Sequence, residues 1–265
     1  MRRALAVVRR DKRVLPLHLV GNLLLFGLVW LWLSVPESRV WHLLMSASLA
    51  FVILIGALWL HGATMRLFRR TDQDGPVEVA ESFRAMRGRM SALLVWALVS
   101  WIVFALIARL ADLVPDIAEW TSSALTFLVR RPVPPRWTEP ALAIPIVLLR
   151  WIAGPLLLLI LGSAMSEHGF GALRGGALDR ALGGARSAGL WLRCALVIAV
   201  GAGVPCLLVH WVPVLAGIRA QAASMIVRFL LAYSLMIASW LVLLAVVGSA
   251  GRASEPPPVV APPAG

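Results

Sequence analysis

The chain has 265 residues, 60% hydrophobic and only 14% charged, with a formal net charge of +12. Soluble domains run at about 45–50% apolar and 25% charged residues, so this composition excludes an ordinary soluble globule. It points instead to an all-α polytopic membrane protein, because apolar runs of about 20 residues match the roughly 30 Å hydrocarbon core at about 1.5 Å per residue.

Segment 1–14 (MRRALAVVRRDKRV) alternates basic pairs with Ala, Leu and Val and reads as a basic cytoplasmic segment, either lying along the inner membrane surface or serving as a disordered positive-inside anchor. The first run, Leu15–Val35, is too long for a secretory signal and lacks a small-x-small cleavage site, so an uncleaved span is expected. His18 and Asn22 lie four apart in it, on one helical face. A tight turn at 36–40 leads into the second run, Trp41–Leu60.

The next gap holds an Asp-rich turn at 71–76. It lacks the remaining ligands of a calcium loop and reads as an ordinary turn. After it, Val79, Ala80, Phe83, Met86 and Met90 recur at helical spacing, with Glu78, Glu81, Arg84 and Arg87 on the other face. A short amphipathic helix on the inner leaflet is predicted, feeding directly into the third run, Ala92–Ala108.

Residues 112–140 form the longest outer segment, with a stripe of Ile117, Trp120, Ala124, Phe127 and Leu128 that is too short and too polar to span. It is expected to lie at the outer interface or to dip in as a re-entrant piece, and to end at the prolines after Arg131. The fourth run, Ala141–Gly162, contains Arg150 between Pro145 and Pro155. A second inner amphipathic stretch at 171–188 precedes the fifth run, Trp191–Trp211, and the sixth, Phe229–Gly248. The domain scheme is thus a basic segment (1–14), a six-helix transmembrane domain (15–248) and a proline-rich, disordered cytoplasmic tail (249–265).

Charge placement sets the orientation. The segments at 1–14, 63–90 and 169–193 and the tail carry 17 basic residues, against 7 in the three opposite segments. By the positive-inside rule both termini are cytoplasmic. The basic excess is therefore a topology signal, with a second role against anionic lipid headgroups, and not a nucleic-acid footprint. A shift of 98 residues lays LVWALV (94–99) on LRCALV (192–197), Val114-Pro115 on Val212-Pro213 and Val129-Arg130 on Val227-Arg228. This implies an internal repeat of parallel orientation, unlike the inverted repeats common in transporters.

Few residues offer chemistry. An ionisable side chain within a span is a functional candidate by default, and Arg150 is the clearest, either as an anion contact or as a cap on carbonyls freed by the flanking prolines. With His18 and Asn22 it forms the candidate intramembrane polar site, although interhelical hydrogen bonding explains those two without a function. His42, His61 and His210 sit near run ends and read as interfacial.

Arg84, Arg87, Arg89, Arg174, Arg180 and Arg186 are candidate contacts to the inner leaflet or to a membrane or peripheral protein partner. No His, Cys, Asp or Glu pair has metal-ligand spacing, and no cofactor motif occurs. Ser46 lies one turn from His42 but lacks an acid to orient the histidine. Cys194 and Cys206 are about 18 Å apart along one helix, too far to bridge.

At SFRAMRGRMSALLVWALVSWIVFALIARL and PLLLLILGSAMSEHGFGALRGGALDRALGGARSAGLWLRCAL the chain resembles uncharacterised bacterial six-span inner-membrane proteins. In these, basic amphipathic helices feed directly into spans, a layout shared with the membrane domains attached to some glycerophosphodiesterases. The resemblance implies a multi-pass inner-membrane fold; the phosphodiesterase catalytic domain has no counterpart here, so its activity does not carry over. The sequence therefore points first to a non-enzymatic membrane scaffold or accessory subunit. A permease subunit of an ATP-driven exporter and an intramembrane lipid-acting enzyme stand as alternatives.

Overall fold

The computed structural model describes residues 6, 8, 9, 12–36, 38–73, 78–174, 176–213 and 217–250. The proline-rich tail beyond residue 250, most of the basic N-terminal segment and positions 74–76 of the Asp-rich turn lie outside these residues. Among the described residues the chain is helical, with no strand. Its helices are α1 (Val14–Leu33), α2 (Val40–Gln73), α3 (Val79–Ala85), α4 (Met90–Asp112), α5 (Val114–Val129), α6 (Pro135–Leu148), α7 (Gly154–His168), α8 (Ala177–Ala185), α9 (Ala188–His210) and α10 (Ile218–Ala250). Six stretches are long and apolar enough to cross a membrane: Val14–Leu33, Val40–Thr71, Val79–Asp112, Pro135–Leu173, Ala188–His210 and Ile218–Gly248.

Helix α2 corrects one expectation. The second run was expected to end at Leu60 with a turn from Thr71, yet the helix continues unbroken to Gln73, 34 residues in all. No Gly or Pro interrupts the chain between Gly62 and Gly75, so nothing local stops it. At about 1.5 Å per residue α2 is about 50 Å long, well beyond a hydrocarbon core of about 30 Å. Its final turns carry Arg66, Arg69 and Arg70.

The fourth span is composite. Between α6 and α7, residues Leu149–Ala153 form a π turn, and the Gly154 N–H reaches back to the Leu149 carbonyl. A Cβ at Gly154 would stand 2.6 Å from that carbonyl oxygen, so only glycine fits. Pro155 follows directly and donates no N–H, which favours a local break in the α pattern.

The segment at 112–140 folds back on the span that follows it. Thr138 Oγ1 donates to the Ala118 carbonyl at 3.0 Å, the Val133 N–H donates to Thr126 Oγ1 at 2.9 Å, and Ser122 Oγ donates to the Val133 carbonyl. Arg130 ends α5 in a left-handed conformation (φ 55°), and the following prolines prevent the helix from resuming.

Packing is uneven along the bundle. The buried core gathers in the half that carries Arg66 and Arg69, from Leu93 and Met86 through Ile160 and Met165 to Leu241, Leu244 and Val247. The opposite half leaves Trp30, Trp41, Trp120 and Phe127 exposed, an apolar surface suited to lipid. Half of the most apolar window of α10 is buried, against 6–22% in the other five spans, so α10 is the central helix. It packs close to α9 at Gly201, where a Cβ would meet Ser239 Cβ at 2.4 Å.

Candidate functional site

Two polar clusters lie within the bundle. The first joins α1, α2 and α10. His18 is fully buried, and its Nε2 lies 2.7 Å from Thr64 Oγ1, which donates in turn to the Leu60 carbonyl at 2.8 Å. Asn22 Nδ2 donates to the His18 carbonyl at 2.8 Å and approaches His18 Nδ1 at 3.3 Å.

The donor and acceptor order is self-consistent if His18 is neutral with its proton on Nε2. The His61 ring stands 5.4 Å from the His18 ring and meets Trp240 edge-on at 5.5 Å, while Trp240 Nε1 donates to His61 Nδ1 at 3.0 Å. Tyr233 Oη donates to the Leu19 carbonyl at 2.7 Å, adding a second link from α10 to α1.

His61 forms part of the walls of two apolar cavities. One, of about 310 Å³, is bounded by Asn22, Val197, Gly201, Met236 and Trp240. The other, of about 400 Å³, is bounded by Gly62, Leu93, Trp96, Phe104 and Pro155.

The second cluster occupies the basic end, where α2 meets the C-terminus of α7 and the turn before α4. Arg66 and Arg69 are buried. Arg69 Nε lies 2.6 Å from Glu167 Oε2, an ion pair that approaches obliquely and not along a hydrogen-bond axis. Arg89 Nε donates to the Glu167 carbonyl at 2.6 Å and its Nη1 to the Ala85 carbonyl at 3.0 Å. Cations at the C-terminal end of α7 are favoured by the helix dipole. Farther out, Arg70 Nη1 lies 4.0 Å from Glu81 Oε1.

The structure redistributes the residues singled out in the sequence. His18 and Asn22 do come together, but with Thr64 and not with Arg150. Arg150 is half-buried on the π turn, which packs against α4, α6 and α7, and its guanidinium stands 5.4 Å from the Trp151 ring. His61, expected at the interface, is instead half-buried beside His18 and Trp240. Arg89 is drawn inward onto Glu167, whereas Arg84, Arg87, Arg174 and Arg186 are exposed and Arg180 is half-buried.

On the predicted apolar face Val79, Phe83, Met86 and Met90 turn inward, but Ala80 is exposed and Ser82 takes a buried place. Ser46 accepts from Trp32 Nε1 at 2.7 Å, while His42 Nδ1 lies 3.3 Å from Ser38 Oγ, so the Ser46–His42 pair does not form. Cys194 and Cys206 are both free.

Sequence reasoning passed over Thr64, Trp240, Arg66, Arg69 and Glu167. A usable signal existed for Glu167, the one acid between Glu139 and Asp179, placed just beyond an apolar run among basic segments. Thr64 and Trp240 gave none, since a lone Thr or Trp in a span is ordinary. Fold and clusters together define a polytopic α-helical membrane protein with buried polar seams. Among known proteins the chain matches no family model, no curated protein and no solved structure.

Proposed function

We propose that the chain is a non-enzymatic scaffold or accessory subunit of a bacterial cytoplasmic membrane, with its basic end and both termini on the cytoplasmic side. The observation that carries this reading is how the polar groups of the seam are used. His18, Asn22, Thr64, His61, Trp240 and Tyr233 engage one another or the backbone across α1, α2 and α10. Groups spent in this way tie helices together and leave little for turnover. The concentration of arginine at one end supports the orientation, and the resemblance to multi-pass bacterial inner-membrane proteins suits the location.

A parallel internal repeat belongs to the same reading. Helices α4 and α9 begin at Met90 and Ala188 and end at Asp112 and His210, 98 residues apart at both ends. The preceding α3 and α8 begin at Val79 and Ala177, again 98 apart. The units differ on the outer side, where α5 is a separate helix while Ile218–Arg228 is the first part of the unbroken α10. Each unit would supply one basic inner helix, giving two neighbouring surfaces for anionic lipid headgroups and a partner.

Complementation tests the scaffold reading. In a strain whose deletion has a phenotype, His61→Phe combined with Arg150→Ala is expected to restore growth at normal protein level. Failure to complement by a stably inserted double variant would move those residues into a chemical role.

A second reading, the permease subunit of an ATP-driven exporter, is favoured by the exposed Arg84, Arg87, Arg174 and Arg186 at the basic end, which suit a peripheral ATPase. It requires a nucleotide-binding subunit to co-purify in mild detergent, with that association weakened by neutralising Arg84 and Arg87.

A further inference from the structure

The basic end holds more buried positive charge than its partners neutralise. Arg66 is only 4% exposed, and its Nε and Nη1 are both buried without a hydrogen-bond partner among the described residues. Two buried guanidinium donors without partners are a costly feature for a fold to keep. Its surroundings do not relieve it: Arg89 and Arg70 repel it, while Glu167 and Glu81 attract it.

Both carboxylates are already shared. Glu167 faces Arg69 through its side chain and Arg89 through its carbonyl. The side chain of Glu81 is 62% exposed, which screens it, and it lies 4.0 Å from Arg70. The C-terminus of α7 adds about half a negative charge, which still leaves three clustered arginines against one buried carboxylate. Ser82 Oγ, on the helix packed against this stretch of α2, is a further buried polar atom without a hydrogen-bond partner.

The geometry points to a missing anion: we infer that Arg66, with Arg89 near it, binds a phosphate group. Guanidinium forks suit phosphate oxygens, which accept parallel hydrogen bonds from Nε and Nη, and Nε and Nη1 are the two atoms that Arg66 leaves open. Depth agrees with this chemistry. Arg66 lies six residues, about 9 Å along α2, beyond the Leu60 limit read from the sequence for the second apolar run, a depth that suits headgroups.

The phosphate can belong to an anionic phospholipid or to a soluble phosphate compound. This site lies beyond the scaffold role and does not depend on it, so it can fail while complementation succeeds.

The test is thermal unfolding of the full chain, stripped of lipid in a neutral detergent, with phosphatidylglycerol, inorganic phosphate or phosphatidylcholine added. A saturable stabilisation is expected from at least one of the first two and not from phosphatidylcholine. Response to phosphatidylglycerol alone assigns the lipid headgroup; an equal response to inorganic phosphate assigns a soluble ligand.

Arg66→Gln should weaken the effect by about tenfold or more and Arg66→Lys by less, because lysine keeps the charge and loses the fork. Arg39→Gln with Arg131→Gln, both exposed and outside the basic end, should leave it intact. No response from the wild type, or an Arg66→Gln response equal to it, overturns the proposal. Should Arg66→Gln fail to fold, native mass spectrometry of the wild type decides: one phosphatidylglycerol or phosphate retained per chain supports the site, and a bare chain refutes it.

Discussion

His18 and Arg150 show how differently two polar residues can sit in a span. His18 is fully buried and bonded on both sides, to Thr64 and to Asn22. His18→Ala leaves a cavity and removes one of the two hydrogen bonds of Thr64, and interhelical hydrogen bonds in membranes are worth about 1–2 kcal/mol at most. A lowered midpoint of thermal unfolding in detergent is expected, with Asn22→Ala milder. Arg150 stacks on its neighbour Trp151, and insertion scales charge about 2.5–3.5 kcal/mol for an arginine at the centre of a span. Arg150→Leu should therefore insert at least as well as the wild type and keep its unfolding midpoint. A marked drop would mean that the guanidinium holds a structural contact stronger than stacking.

Among the elements, the contact between α9 and α10 rests on glycine. At Gly201 a Cβ would come within 2.4 Å of Ser239 Cβ, with the Ser239 backbone close behind, so the helices cannot accept a larger residue without moving apart. Small residues that let backbones approach are the ordinary device of membrane helix packing, where lipid tails compete equally well for apolar side chains. Gly201→Val is expected to cost about 1–3 kcal/mol through overpacking, measured as a lower midpoint in detergent unfolding. Gly203, with nothing within 4 Å of its Cβ position, should accept alanine freely. The same helix pair shows why the sixth span runs to 33 residues: no proline stops it, whereas Pro132, Pro134 and Pro135 separate α5 from α6.

For the whole molecule, the buried core is displaced toward the basic end, and the other end presents exposed aromatic and aliphatic side chains. The proposed orientation can be read independently of any function. Reporter fusions after Arg39, Arg70, Pro134 and Gly175 are expected to report outside, inside, outside and inside in turn. A cytoplasmic signal at Pro134 would break the six-span scheme, and reversal of all four would invert it.

Much of the fold was legible in the chain, because spans depend on local hydrophobic length and on breakers such as Pro132 and Gly75. An uninterrupted apolar run must form a helix wherever no water can satisfy its backbone, and that requirement needs no knowledge of neighbours. The number of spans and the all-α class follow from it.

The candidate site was legible only in part. His18 and Asn22 share a face by periodicity alone, but Thr64 and Trp240 enter from residues 46 and more than 200 positions away, a relation that only packing creates. Arg66, Arg69, Arg89 and Glu167 look like ordinary loop-flanking charges along the sequence. Only the overrun of α2 against the end of α7 buries them together. Local physics thus decided which segments are helices, while tertiary contact decided which of their charges lost water, since desolvation belongs to the assembled bundle and to no single segment.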